Sequence, residues 1–476
     1  MGPRAAPTEL ELPAEQMRAL VDHAMERIVA HVESLPRQPA ADVEGAAELA
    51  RSLVERLPEH GAPFEELLSL LFDTAVPRSF NTAGPGYLAY IPGGGLFHSA
   101  VADLIADAVN RYVGVWLAAP ALAQLEANVV RWFCEIVGYP DQARGILTTG
   151  GSLANFTAVV TARRDRLPED FLGGTLYVSD QAHHSLQKAA MLAGFPPANV
   201  RVVPSDGSFR IRIEALRQAV ARDRDAGMRP FFLNGNAGTT NTGAVDDLVA
   251  LAEFAREEGL WYHVDGAYGG FFALTARGRE ALAGIERSDS VTLDPHKALF
   301  LPYGTGSLLV RAGGVLRRAH SVRADYLPPM QEADDLVDFC EISPELSRDF
   351  RGLRVWLPFK MHGASAFRRA LDEKLDLARW AAAELRKVPG IEVLGEPALS
   401  LVAFRLAAPQ LAPEGRDERN RRLLARINAR RRVYLTGTLL ADGFVLRICV
   451  LSFRTHLDRM EQALEDIRAA VAEVSD

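Results

Sequence analysis

Trp261-Tyr262-His263-Val264-Asp265-Gly266-Ala267-Tyr268 and Ser290-Val291-Thr292-Leu293-Asp294-Pro295-His296-Lys297 decide the fold between them. Each opens with four residues that suit a short buried strand, and each then places charge where the strand-like run ends. An Asp in that position alone is commonly a turn or helix cap, and a Lys alone is commonly solvated surface charge. Two successive strands that both end this way are harder to read as decoration. In an open α/β sheet, ligands sit outside the carboxyl ends of the strands. Asp265 and Lys297 are therefore expected to face one crevice.

The same punctuation extends outward. Between residues 145 and 310 the runs Thr175–Val178, Val200–Val203, Phe231–Asn234 and Ser307–Val310 alternate with helical stretches such as 209–223 and 246–258. That alternation predicts βα units and a mostly parallel sheet. The tail reads as α+β: helix 364–387, strand Leu401–Leu406, helix 415–429, strand Phe444–Val450 and an amphipathic helix 457–473. Ahead of the sheet, Met17, Leu20, Val21, Ala24, Ile28 and Val32 give a helical stripe over 14–35. A second helix is expected from Val43 to Leu57, and others over 98–112 and 120–137. The two N-terminal helices are long and two-faced, which suits packing on another subunit or on their own chain. The organisation expected is an α/β chain in three parts. An N-terminal helical segment covers 1–96, a large cofactor-binding domain 97–354 and a small C-terminal α+β domain 355–476.

Composition narrows the class. The chain has 476 residues, 48% hydrophobic and 24% charged, which is ordinary for a globular enzyme. A net charge of −8 argues against nucleic acid or an anionic membrane as the main partner. Cys134, Cys340 and Cys449 are too far apart for a metal pattern or a disulfide framework. The N-terminus shows no apolar signal core, and no apolar run reaches the eighteen or so residues of a membrane span. A cytoplasmic location is expected.

The Asp and Lys together suit one cofactor. Pyridoxal phosphate needs a lysine for its aldehyde and a carboxylate to keep its ring nitrogen protonated. Lys297 and Asp265 are the candidates. Three further segments bear on this reading. Thr148-Thr149-Gly150-Gly151-Ser152 follows the strand-like Ile146-Leu147 and opens a helix, where glycines let backbone N–H groups approach a phosphate. An ordinary turn would look the same. His183, in Ser179-Asp180-Gln181-Ala182-His183-His184-Ser185, could stack on the cofactor ring or be a capping or surface residue. Asn236-Ala237-Gly238-Thr239-Thr240 carries hydroxyls that could reach the cofactor, or forms a simple turn.

With these segments quoted, the chain resembles the PLP-dependent group II decarboxylases, the family of aromatic-L-amino-acid and glutamate decarboxylases. The segments that carry the likeness are Asp180–His183, Gly238–Thr240, His263–Tyr268 and Asp294–Lys297. Trp116 through Leu125-Glu126, Phe350–Trp356 and Phe444–Arg447 add to it. The match runs over roughly residues 75–475, with the motifs in family order. It implies a type I aminotransferase-like fold and a homodimer with the site at the interface, acting on a small-molecule amino-acid substrate. It also implies Lys297 as the Schiff-base lysine, Asp265 as the ring-nitrogen partner and His183 as the stacking histidine. By the same resemblance Gly150, Gly151, Ser152 and His296 meet the phosphate, and Thr240 and Ala267 lie beside the ring. Tyr326, in Asp325-Tyr326-Leu327, matches a mobile-loop tyrosine that protonates product, and Tyr90 and Pro92 match the substrate-pocket segment. The chain departs from the pattern at Asp294, where the family often has Asn, and at Ala298, where it usually has Trp. Gly93-Gly94-Gly95 also leaves the pocket segment short of side chains.

The activity implied is decarboxylation of an L-amino acid to its amine. Three alternatives stand beside it: an aldehyde synthase, a carbon–carbon lyase and a PLP-binding scaffold without activity. Tyr326 and His183 argue against the aldehyde synthase, and the intact Lys297 and Asp265 argue against the scaffold. Tyr87, Tyr90, Phe97 and Trp116 suit either an aromatic substrate or a core or subunit interface. No Arg or Lys lies between Tyr87 and His98 to receive an acidic side chain, although Arg111 is near in sequence. An aromatic substrate is expected ahead of acidic or diamino acids.

Overall fold

The computed structural model describes residues 10–322, 328–331, 333 and 335–475. Seven strands form its main sheet: β1 (Arg144–Thr148), β2 (Gly174–Ser179), β3 (Val200–Val203), β4 (Arg229–Asn236), β5 (Trp261–Asp265), β6 (Ser290–Leu293) and β7 (Gly306–Val310). Their order is β1-β7-β6-β5-β4-β2-β3. Strands β6, β5, β4, β2 and β3 pair parallel, while β7 runs antiparallel to both β6 and β1. Two antiparallel steps restore direction, so β1 points the same way as β2, β4, β5 and β6. The carboxyl ends of all five lie on one edge.

The strand sequences read as near-continuous apolar runs because helices cover both faces of the sheet. Period-two geometry then divides each strand between two cores. Leu176 and Val178 pack into one with Ala154, Ala158 and Ala162 of the helix Gly151–Arg166. Tyr177 packs into the other with Val130, Phe133 and Leu216. Both strands at the centre of the sequence argument are buried throughout.

A second, antiparallel sheet follows: β8 (Ile391–Val393), β9 (Leu401–Leu406), β10 (Thr436–Leu440) and β11 (Gly443–Cys449), in order β10-β11-β9-β8. The helix Leu353–Leu385 leads into it. Helical geometry is interrupted at Gly363 (φ 67°, ψ 160°), immediately before the point where the sequence pattern starts its helix. The segment Gly86–Leu88 is stitched to this C-terminal region: Tyr434 N donates to Gly86 O, Leu88 N to Tyr434 O and Cys449 N to Leu88 O.

The N-terminal expectations divide. The helix Ala14–Ser34 forms as the stripe predicts, yet it buries none of its own residues, and Met17 is 51% exposed. The helix expected over Val43–Leu57 is only Ala46–Ser52. Val54 and Leu57 beyond it are 81% and 95% exposed, so no packing offsets the entropy of fixing them as helix. Among the described residues, no helix is long and apolar enough to cross a membrane.

Candidate active site

Strand β6 ends at Leu293, and Asp294 leads into a single turn, Pro295–Ala298, with proline in its first position. The short turn brings Lys297 back over its own start, so its Nζ lies 2.9 Å from Asp294 Oδ2. Burial pushes the Lys297 ammonium toward its neutral form, but the charges of Asp294 and Asp265 outweigh that and hold its pKa above the ordinary lysine value. Asp294 Oδ1 is buried without a hydrogen-bond partner among the described residues. His296 Nδ1 donates to Thr305 O at 2.6 Å, and its Nε2 lies 3.7 Å from Asp294 Oδ2. Burial dominates at His296 and lowers its pKa.

Strand β5 ends at Asp265, whose Oδ1 accepts from Ala267 N at 3.1 Å and whose Oδ2 accepts from Asn155 Nδ2 at 3.1 Å. Asn155 sits one turn into the helix that begins at Gly151, and its side chain is buried against the carboxyl ends of β5 and β6. His183 lies on the turn after β2, with Nδ1 2.8 Å from Ser185 Oγ. Burial is the largest influence on the His183 imidazole and lowers its pKa; Asp265 opposes it.

These groups surround one cavity of about 280 Å³. Gly150, Gly151, Ser152, His183, Thr240, Asp265, Ala267, His296 and Lys297 all line it, together with Asp294, Asn155 and Ser185. Among the described residues lining it, Lys297 is the sole lysine or arginine. Tyr90, Pro92 and Trp116 are not part of its wall in this single chain. Trp116 packs at the edge of a core and its backbone N–H donates to Asp338 Oδ1. The pocket segment nevertheless reaches the site through Gly93, where a Cβ would fall 2.0 Å from His296 O. Tyr326 lies outside the described residues. The exposed His184 lies beside His183, ring centroids 4.1 Å apart and planes tilted by 42°.

The cavity has the chemistry of a phosphorylated aldehyde site. It holds a lysine amine kept in place by a carboxylate, a second carboxylate at the end of the neighbouring strand, and a Gly-Gly-Ser turn at the N-terminus of a sixteen-residue helix. Gly151 has little room to be anything else, because a Cβ there would lie 3.0 Å from Asp294 Oδ2 and 3.2 Å from Ala267 Cβ. Residues 47–407 match the family model described as the pyridoxal-dependent decarboxylase conserved domain. The chain belongs to the pyridoxal-dependent decarboxylase family. It is a PLP-dependent amino-acid decarboxylase.

Relatives of this decarboxylase agree over nearly the whole chain. An aromatic-L-amino-acid decarboxylase of Bacillus atrophaeus is 36% identical over 468 residues, 98% of each chain. A phenylacetaldehyde synthase of Arabidopsis thaliana is 27% identical, covering 96% of each. A solved structure of an Oryza sativa TDC with PLP and tryptamine superposes with a TM-score of 0.93 at 28% identity, over 98% of this chain and 100% of that one. The type I fold expected from the motifs is the fold of this decarboxylase, and pyridoxal phosphate is its cofactor. Asn155 and Ser185 escaped the sequence reading. A signal was present at Asn155: a poor helix former one turn inside a helix calls for a hydrogen-bonding reason.

Proposed function

We propose that this decarboxylase removes carbon dioxide from an aromatic L-amino acid, with Lys297 as the residue that takes the cofactor aldehyde. The observation that carries this reading is the convergence of Lys297, Asp265, His183 and the Gly150–Ser152 turn on one cavity. Bound pyridoxal phosphate supplies an electron sink for the pair left at Cα when the carboxylate departs. Asp265 would hold the proton on the ring nitrogen. A unit-charge pair near 4 Å is worth on the order of 4 kcal/mol at an effective dielectric of about 20, roughly three pKa units. His183 would lie over the ring and orient the substrate carboxylate out of its plane. The Gly150–Ser152 turn and His296 would bind the phosphate, with Thr240 and Ala267 beside the ring. Tyr326 would return a proton to Cα.

Support for an aromatic side chain comes from the cavity wall, where Lys297 is the only lysine or arginine among the described residues. The name of the Bacillus relative points the same way. Tyr90, Pro92 and Trp116 would border the substrate in a homodimer. The helix Ala14–Ser34, none of whose residues is buried in its own chain, supports that assembly. A second reading, oxidative release of an aldehyde, is favoured by the phenylacetaldehyde synthase relative. Against it stands Tyr326, present in the sequence.

An amino-acid panel scored for carbon dioxide, ammonia and peroxide separates the two. Carbon dioxide with amine and no peroxide from aromatic substrates is expected. Stoichiometric peroxide, or turnover confined to acidic amino acids, would overturn the first reading. Borohydride reduction followed by peptide mapping is expected to find the cofactor on Lys297.

A further inference from the structure

Beneath the cavity runs a closed chain of buried hydrogen bonds whose direction is set at both ends. Asp265 Oδ2 can only accept, so the group of Asn155 that faces it at 3.1 Å is the amide nitrogen. Asn155 Oδ1 then points the other way and accepts, from Thr292 Oγ1 at 2.7 Å and from His263 Nε2 at 3.1 Å. His263 therefore carries its proton on Nε2 and accepts at Nδ1 from Ser290 Oγ, 2.8 Å away. Ser290 Oγ is free to donate there because Trp261 Nε1, which can only donate, fills its acceptor side at 2.8 Å. Reversing the Asn155 amide would set its Oδ1 against Asp265 Oδ2, two acceptors facing each other.

The second hydrogen on Asn155 Nδ2 goes to Ser185 Oγ at 2.9 Å. With its acceptor side occupied, Ser185 turns its hydroxyl hydrogen onto His183 Nδ1 at 2.8 Å, and Ser185 N also points there at 3.3 Å. Two donors converge on one ring nitrogen, which must be bare. We propose that Asn155 and Ser185 are positioning residues that fix His183 as the Nε2–H tautomer, leaving that N–H free at the cavity for the substrate carboxylate. One amide thus orients both the carboxylate at Asp265 and the imidazole at His183. The groups bearing on the His183 charge are Asp265, His184, Lys297 and Asp294. Burial outweighs them and keeps the ring neutral near pH 7.

The tautomer stands whether or not the substrate assignment is right; only its use toward a carboxylate rests on the proposed function. The test is made on the cofactor-free protein with ring-¹⁵N histidine, in which eleven histidines report. Two-bond ¹⁵N–¹H correlation distinguishes bare from protonated ring nitrogens, and loss of one pattern in His183→Gln assigns it. The expected result is bare Nδ1 and protonated Nε2 at His183 and at His263. Ser185→Ala is expected to move the His183 pattern toward a mixture while leaving His263 unchanged, and Asn155→Ala to move both. In the loaded enzyme, Ser185→Ala is expected to lower kcat about fivefold, the effect of one ordinary hydrogen bond. A proton on His183 Nδ1 in the unsubstituted protein would overturn the proposal. So would a His183 pattern unmoved by Ser185→Ala, which decides the matter even where Asn155→Ala fails to fold. A decarboxylase with this tautomer but no aromatic turnover would refute the substrate reading alone.

Discussion

Replacing Asp294 with Asn isolates the contact between Lys297 and the carboxylate that departs from the family pattern. At 2.9 Å the pair is worth about 6 kcal/mol of Coulomb energy at an effective dielectric near 20. Burial of the ammonium consumes much of that. Removing one partner of a buried pair commonly costs about 3–5 kcal/mol. The cost here should be smaller, because the Lys297 side chain keeps 22% of its surface. A loss of roughly 2 kcal/mol is expected, which in a domain of this size lowers the Tm of the cofactor-free protein by roughly 4–8 °C. The pH dependence gives the sharper check. The folded pKa of Lys297 is raised, so its stabilisation is fully present below 10.5 and is lost as pH rises through the folded value. In Asp294→Asn burial dominates, the pKa falls below 10.5, and the charged lysine becomes a penalty at neutral pH that fades as pH climbs. The gap in stability between the two proteins should be widest at pH 7–9 and should close above pH 10.5. Denaturant unfolding of both cofactor-free proteins across that range measures it. A variant as stable as the parent at pH 8, or a gap that does not change with pH, would refute the reasoning.

Gly93→Ala would drive a Cβ to 2.0 Å from His296 O, so slower cofactor capture and a lower Tm are expected from absorbance and thermal melts. His263 is buried with its pKa lowered by burial to about 4. It stabilises the fold above pH 6.5, and that contribution, about 3 kcal/mol, is lost as pH falls from 6.5 toward 4. Urea titrations should show a shallower pH slope in His263→Asn, by about one proton. Glu126 and Arg348 form an ion pair at 2.6 Å with both side chains fully buried. Glu126→Leu should cost about 3–5 kcal/mol, and adding Arg348→Met should restore part of it, as read by equilibrium unfolding.

The cavity was legible in the sequence because its parts are strand ends. A buried strand of five residues ending in Asp265, and another of four ending just before Asp294, needs only the rule that ligands gather at carboxyl edges. The antiparallel turn of β7 was not legible, since Ser307–Val310 has the same apolar run in either direction. Strands β8 and β10 escaped because Ile391–Val393 is three residues long and Thr436–Leu440 is half-buried on both faces, with no alternation to mark it. The helix expected to Leu57 failed for the opposite reason, having periodicity but nothing to bury it against. Asn155 shows the remaining gap. Its hydrogen bonds reach Ser185, His263, Asp265 and Thr292, up to 137 residues away, and no local pattern encodes them.

The Gly93 segment has a consequence for how specificity can vary in this enzyme. It is moored at one end to the C-terminal sheet through Gly86 and Leu88 and pressed at the other against the backbone that carries Lys297. Gly94 is confined as well, since a Cβ would meet Ser452 Oγ at 2.6 Å. Gly93 and Gly94 are thus held bare by the backbone and side chains packed against them. Evolution or design seeking a new side-chain preference would find these two positions closed. Change would have to enter through the exposed ring of Tyr90, seven residues before the helix Phe97–Val109 begins.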